Sequence, residues 1–314
     1  MHTQTTQFLH SPDHHKIALH SWIPQGEIRY IIQLSHGMIE YAKRYDHFGI
    51  FLCNHQIALY GHDHRGHGES VTGNEILGSL SEENGFDKVI NDLYLVTNYI
   101  KKTHPGKIIF LLGHSFGSFI SQAFIEQHGK EIDGCLLSGT AGPRHALVKT
   151  AKGLSFIIKK IKGNRYKSKL MNNLAFGNYN RKIDNPQSKN AWLTRDPQVV
   201  EEYDRNPYTT FMPTIGFFYD LFSGLSRIHL KKNMELIPKN LPVLLFTGKC
   251  DPVGNYGKTV KDLYKIYQSI GIKDVSLILY SGGRHEMLNE TNKEEVMKDI
   301  LKWMEIRLTK HRIF

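Results

Sequence analysis

The segment Gly113-His114-Ser115-Phe116-Gly117 constrains this chain more than any other, because of what stands on either side of it. Before it runs Lys107-Ile108-Ile109-Phe110-Leu111-Leu112, an apolar stretch of strand length; after it, Ser118 to about His128 suits a helix. A chain that passes from strand to helix in so few residues must turn sharply, and the residue at the centre is held in a strained backbone conformation. Glycines on both sides remove the Cβ atoms that would collide there. The serine hydroxyl then stands at the C-terminal edge of a sheet, open to substrate.

A serine hydroxyl is a weak nucleophile; it needs a base, and the base needs an acid to orient it. Both occur past later strands. Leu241-Pro242-Val243-Leu244-Leu245-Phe246-Thr247-Gly248 reads as a strand, and Lys249-Cys250-Asp251-Pro252 puts Asp251 on the loop beyond it. Residues 275–280 read as the last strand, and Ser281-Gly282-Gly283-Arg284-His285-Glu286 puts His285 on the next loop. Taken singly, Asp251 is a turn aspartate before a proline and His285 is one of 18 histidines. In the order Ser, Asp, His, each past a strand end, they read as a catalytic triad. Glu40 and Glu286 flank this centre, either ordering its loops or competing as acids; Asp251 ranks first because it follows a strand end.

Residues 8–10 and 16–22 flank a turn-rich Ser11-Pro12-Asp13-His14-His15 and predict a hairpin. Further strands are predicted over 29–35, 56–60 and 132–138, and an amphipathic helix over 87–102 with Val89, Leu93, Val96 and Ile100 on one face. From about Gly142 to Asn240 the pattern is helical or irregular, and strands resume at Leu241. The expected organisation is therefore a core of residues 1–142 and 241–314 with a helical cap, 143–240, laid over the strand ends.

Hydrophobic content of 40% and charged content of 22% over 314 residues suit a globular protein, and no apolar run is long enough to span a bilayer. Three cysteines are too few for a disulfide framework, and the first seven residues lack the charged and apolar regions of a secretory signal. A cytoplasmic location is expected. The net charge of +10 raises the question of anionic partners. No nucleic-acid motif is present, so nucleic acid is not expected.

An acyl-transfer transition state places charge on the former carbonyl oxygen, which backbone N–H groups must meet. The residue after the nucleophile, Phe116, is one expected donor; a loop after an early strand, Ser35-His36-Gly37-Met38-Ile39-Glu40, makes Met38 the other. His36-Gly37-Met38-x-Glu40, Gly61-His62-Asp63-His64-Arg65-Gly66-His67-Gly68-Glu69-Ser70, the serine pentapeptide, Asp251-Pro252-Val253-Gly254 and Gly282-Gly283-x-His285-Glu286 together resemble the monoacylglycerol lipase and lysophospholipase branch of the α/β-hydrolases, a branch often grouped with serine aminopeptidases. A segment of the cap, Leu193-Thr194-Arg195-Asp196-Pro197-Gln198-Val199-Val200-x-x-Tyr203, is also similar to these lipases. The resemblance departs at Asn206-Pro207-Tyr208, where the family more often has Asp-Pro-Leu, and is weak from Pro143 to Asn190. It implies an α/β-hydrolase fold, with a mostly parallel central sheet, helices on both faces and a helical cap insertion.

The resemblance further implies an esterase that acts through an acyl-enzyme on monoacylglycerols or lysophospholipids, with no cofactor. Aminopeptidase or amidase chemistry on the same triad, or a silent ligand-binding protein of this fold, are the alternatives. The imidazoles and carboxylate of His62-Asp63-His64-Arg65-Gly66-His67 lie close enough in sequence to suggest a metal. A metal-activated water would leave the triad without a role, so no metal is expected, and Asp63 and Arg65 are expected to tie their turn together by hydrogen bonds. Phe211, Phe217, Phe218 and Phe222 are candidates for an acyl-chain pocket, unless they only form the core of the cap. Lysines and arginines crowd Lys149–Lys169, where Leu147, Ala151, Leu154, Ile158 and Ile161 recur at helical spacing. That helix either packs its apolar face on the body or lies on an anionic membrane.

Overall fold

A computed structural model of the protein describes residues 2–311. Eight strands form a single sheet in the order β1-β2-β4-β3-β5-β6-β7-β8. They span His2–His10 (β1), Lys16–Pro24 (β2), Tyr30–Ser35 (β3), Ile57–His62 (β4), Ile109–His114 (β5), Gly134–Ser138 (β6), Val243–Gly248 (β7) and Val275–Tyr280 (β8). β1 and β2 pair antiparallel, as do β2 and β4; the remaining ladders are parallel. The α/β-hydrolase architecture expected from the sequence is the one observed.

Period-two alternation divides the strand side chains between two cores. Ile109 and Leu111 of β5, and Val243 and Leu245 of β7, join one cluster with Val89, Leu93, Phe124 and Leu263. Phe110, Leu112, Leu244 and Phe246 point the other way, to Phe48, Leu52, Met297 and Trp303. The first face is covered by α2 (Gly85–Thr103), α3 (Phe116–His128) and α9 (Lys258–Ser269), the second by α1 (Asp46–Asn54) and α10 (Lys293–His311).

Between β6 and β7 lie only helices: α4 (His145–Lys162), α5 (Lys169–Phe176), α6 (Pro197–Arg205), α7 (Ile215–Ile228) and α8 (Lys231–Met234). Local chemistry starts three of them. Ser168, Asp196 and Thr214 each accept a hydrogen bond from a first-turn amide, and Pro197 occupies the first helical position of α6. This insertion is fastened to the core at several points. Asp220 of α7 accepts from the Gly85 amide at 3.1 Å and so caps α2, which has no side-chain cap of its own. Thr214 donates through both N–H and hydroxyl to the Gly78 carbonyl, at 2.8 and 2.9 Å.

Neither expectation for α4 accounts for all of it. Leu154 and Ile158 pack on a small core of Met171, Ile215 and Phe218, whereas Leu147 and Ile161 are 54% and 72% exposed, with Phe156 and Ile157 also at the surface.

Gly117 at the start of α3 faces the end of β3, where a Cβ would fall 1.9 Å from the Ser35 carbonyl oxygen. Gly117→Ala is expected to destabilise the fold by more than about 3 kcal/mol, because backbone, not a flexible side chain, would have to yield. Urea denaturation of the variant against wild type measures it; a loss below about 1 kcal/mol would show that the contact relaxes.

Candidate active site

Ser115 follows the last residue of β5 and precedes the first of α3, with φ +51° and ψ −117°. A non-glycine residue in that region is strained and persists only where its surroundings hold it. Here its N–H donates to the Ser138 carbonyl of β6 at 2.9 Å, and its carbonyl accepts from the Ser118 amide at 2.9 Å and the Ser118 hydroxyl at 2.6 Å. The side chain is half-buried at the sheet edge.

Asp251 and His285 come together on the loops after β7 and β8, at the same sheet edge. His285 Nδ1 and Asp251 Oδ1 are 3.0 Å apart, both residues being buried. Asp251 also accepts from the Val253 amide on Oδ1 (2.9 Å) and from the Thr247 hydroxyl on Oδ2 (2.7 Å). Burial alone would raise the Asp251 carboxyl, but His285 and these donors outweigh it and hold it below the usual range. Burial likewise opposes charge on His285, yet Asp251, aided by Glu286 and Glu40, raises it above an ordinary histidine. His114, whose ring centroid lies 4.8 Å from that of His285, is driven down to about 3 by burial and by His285. The Ser115 hydroxyl makes no hydrogen bond to Asp251 or His285 in this structure.

The loop after β3 closes on the same point. A Cβ on Gly37 would meet Glu40 Oε1 at 2.7 Å and Ser115 Cβ at 3.2 Å, so only glycine lets the loop approach so near. Among the described residues neither the Met38 nor the Phe116 amide donates a hydrogen bond. Ile39 is left-handed at φ +60°, a strained state for a β-branched residue, and its carbonyl accepts from the Tyr203 hydroxyl at 2.8 Å. Glu40 and Glu286 both turn to Arg44 rather than to His285: Arg44 donates to Glu286 through both terminal nitrogens, at 2.7 Å each, and to Glu40 at 2.8 Å. Burial pushes Glu40 up to about 7, while for Glu286 the Arg44 guanidinium outweighs burial and holds it at about 2.

Residues 26–292 match the family model described as serine aminopeptidase, S33. The chain belongs to that family. As a member it is a serine hydrolase. Its relatives include a monoglyceride lipase of Rattus norvegicus, 26% identical over 91% of this chain and 86% of that protein. A monoacylglycerol lipase of Mycolicibacterium smegmatis is also 26% identical, over 92% of each chain. Among solved structures, a thermostable carboxyl esterase from Bacillus coagulans superposes with a TM-score of 0.89 at 23% identity, over 96% of this chain and 98% of that one. A soluble variant of monoglyceride lipase from Saccharomyces cerevisiae superposes with a TM-score of 0.74 at 20% identity, over 97% and 96%.

In this S33-family chain the turn after β4 is tied by its own side chains. Asp63 accepts from the Ala42 amide (2.8 Å) and the Glu69 amide (2.7 Å), and Arg65 reaches Asp92, Asp13 and Ser11. His36 Nε2 accepts from the His64 amide at 2.9 Å, and burial keeps His36, His64 and His67 below the usual histidine range. The described residues contain no group of three His, Cys, Asp or Glu side chains arranged to hold a metal.

The four candidate phenylalanines divide. Phe217 packs against Phe116, centroids 5.1 Å apart, and Phe211 against His67 at 5.5 Å. Phe218 and Phe222 lie in the insertion's own core with Met171 and Ile215. Two residues that the sequence did not single out stand beside His285: Trp192, with its ring 4.8 Å from that of His285, and Tyr179, 4.7 Å from Trp192. Both follow a stretch without strong periodicity, so no local pattern marks them.

Asp251 sets the ionisation of His285. In an imidazole NMR titration, His285 is expected to titrate above the ordinary 6.5 in wild type and to fall below it in Asp251→Asn, where burial acts without its counter-charge. An unmoved midpoint would show that Asp251 does not control the ring.

Proposed function

We propose that the chain is a serine esterase that cleaves lipid monoesters, monoacylglycerol or lysophospholipid, through an acyl-enzyme. The observation that carries the reading is the buried Asp251–His285 pair at the same sheet edge as the strained Ser115, with the Met38 and Phe116 amides undonated. His285 takes the Ser115 proton as the hydroxyl attacks the ester carbonyl, and Asp251 holds the working tautomer and favours the imidazolium. Met38 and Phe116 N–H groups receive the oxyanion, each contributing on the order of 3 kcal/mol to the transition state. His285 then protonates the leaving alcohol and activates water for deacylation. In this reading Phe211 and Phe217, packed by His67 and Phe116, and Trp192, packed by His285, contact the acyl chain under the cap.

The lipid substrate rests on the relatives named monoglyceride and monoacylglycerol lipase. The family description favours a second reading, an aminopeptidase. Such an enzyme needs a free carboxylate for the substrate amine, whereas Glu40 and Glu286 are both taken by Arg44.

The cap's surface supports a lipid interface. Residues 134–183 hold eleven Lys and Arg and no Asp or Glu, leaving 29 basic against 30 acidic residues elsewhere. The same stretch exposes Leu147, Phe156, Ile157, Ile161, Tyr166, Leu170 and Leu174, seven of the twelve large apolar side chains most open to solvent in the described chain. Exposed apolar groups ringed by lysine suit an anionic bilayer, to which the cap would dock peripherally; no helix among the described residues is long and apolar enough to cross one.

Turnover of a long-chain monoacylglycerol, a lysophospholipid, a short aryl ester and an aminoacyl anilide by wild type and Ser115→Ala tests the reading. Lipid monoesters are expected to win, with kcat down at least about 10³-fold in the variant. Preference for the anilide would move the protein to the peptidases, and equal inactivity of both forms would remove the enzyme. The wild-type rate should fall with acid through a midpoint above 6.5, since protonated His285 accepts no proton and its ionisation is shifted upward. For the cap, Lys160→Glu with Lys162→Glu should weaken sedimentation with phosphatidylserine vesicles by more than about tenfold and leave binding to neutral vesicles little changed. Equal loss on both vesicle types would assign the contact to apolar insertion alone.

A further inference from the structure

Three parts of the chain meet at one guanidinium, that of Arg44, which is largely shielded from solvent. From the loop after β3, Glu40 accepts from Arg44 on Oε2 at 2.8 Å; its Oε1 accepts from the Gly37 amide and from the Tyr45 hydroxyl at 3.0 Å. From the loop after β8, Glu286 accepts from Arg44 on both oxygens, while Asn289 donates to its Oε2 at 2.9 Å. From the insertion, the Tyr203 ring of α6 lies 4.9 Å from the Arg44 guanidinium, the Tyr203 hydroxyl holds the Ile39 carbonyl, and the Leu193 carbonyl accepts from the Glu286 amide at 2.7 Å. Glu40 and Glu286 are almost wholly buried, so each needs the cation.

We propose that Arg44 is a positioning residue that holds the Met38 loop and the His285 loop at a fixed separation, with Tyr203 as the cap's contact on the same hub. The proposal rests on the esterase reading of Ser115, Asp251 and His285. Its chemistry follows from the shape of the groups. A planar guanidinium satisfies one carboxylate with two parallel bonds and still donates to a second, which an ammonium cannot do in the same geometry. The Met38 amide stands between Gly37, tied to Glu40, and Ile39, tied to Tyr203. The strained turn at Ile39 is thus pinned on both sides, and both pins end at Arg44 or its stacking partner. A cap that shifts Tyr203 releases Ile39 and loosens the amide meant for the oxyanion. The hub is therefore also the route by which cap seating reaches the chemistry.

The same arrangement predicts a signature that scaffolding alone does not give. His285 is faced by Asp251, by His114, by Glu286 and Glu40, and through those carboxylates by Arg44. Removing the Glu286 charge takes away support for the imidazolium, so the acid limb of kcat/KM moves to lower pH.

The test uses the full chain, a short soluble ester and no vesicles. Arg44→Gln strands two carboxylates, so the charge-balanced Arg44→Gln/Glu286→Gln variant accompanies it, with Arg44→Lys, Glu286→Gln and Tyr203→Phe. In the charge-balanced variant kcat should fall about 10²-fold with KM within about threefold, the loss expected when reacting groups are misplaced by about 1 Å. Arg44→Lys should recover part of the Arg44→Gln loss, Tyr203→Phe should lower kcat by a smaller factor, and Glu286→Gln should shift the acid limb downward. Amide hydrogen exchange, which needs no turnover, should quicken at Met38 and Ile39 in both the charge-balanced and the Tyr203→Phe variants. Wild-type kcat in the charge-balanced variant, or a loss confined to KM, would overturn the positioning role, as would unchanged exchange at Met38 and Ile39. Absence of Ser115-dependent turnover in wild type would sink the esterase reading instead, and the exchange measurement would still decide whether the hub fixes the loop.

Discussion

The contact between Gly117 and the Ser35 carbonyl governs the geometry of the whole site. It presses the start of α3 against the end of β3, so the strand that carries Ser115 and the strand that leads into the Met38 loop finish together. β3 and β5 are neighbours in the sheet, with Ser35 opposite Gly113. On the other side of β5, β6 supplies the Ser138 carbonyl that anchors the Ser115 amide, and the next two strands, β7 and β8, end before the loops of Asp251 and His285. A parallel sheet brings all its strand ends to one edge, so side chains more than 240 residues apart in sequence arrive within reach without any long-range device beyond strand pairing.

Within that edge, burial is nearly uniform and hydrogen-bond partners decide which groups carry charge. His36, His64, His67 and His114 are buried without a hydrogen-bonded carboxylate, and burial drives them neutral. His285 is as buried as they are, yet Asp251 turns its shift upward. Which imidazole holds charge is therefore set by its partner and not by its residue type. The carboxylates sort in the same way: Asp251 and Glu286 are held ionised by His285 and Arg44, while Glu40, which shares Arg44 with a better-placed competitor, is pushed up.

Much of this was legible in the chain, for reasons that differ from part to part. Seven of the strands could be read because each is a short apolar or alternating run bounded by turn residues, whereas β1 was legible only over 8–10, since its polar residues 2–7 carry no such pattern. β8 matches its predicted span of 275–280 outright, and β5 runs two residues further than predicted, to the very edge of Ser115. Asp251 and His285 could be found because strand ends are visible and chain order is informative. Arg44 could not: one arginine among 40 basic residues gives no local signal, and its two carboxylates lie four residues before it and 242 after it. The division of Phe217 from Phe218 turns on which side of α7 each faces once α4 has packed on it, a tertiary fact that spacing alone does not hold.

The insertion and the core solve separate problems, and the contacts between them show how. One cation of the insertion takes a buried partner, Arg195 with Glu290 at 2.9 Å, but most of the fastening does not use the insertion's surplus of positive charge. Thr214 to Gly78, Tyr203 to Ile39, Asp220 to Gly85 and Glu286 to Leu193 are hydrogen bonds to backbone groups, and the exposed pair of Arg227 with Asp87 adds little. Eleven like charges in fifty residues repel one another, and they are tolerated because most remain solvated rather than matched to the body. The seat of the insertion is thus set by directional bonds at the base, and its outer charge can vary without disturbing Ile39, Arg44 or Trp192. If the cap docks on an anionic bilayer as proposed, a surface free of that constraint is the one on which that affinity can be adjusted without moving the Asp251–His285 site beneath it.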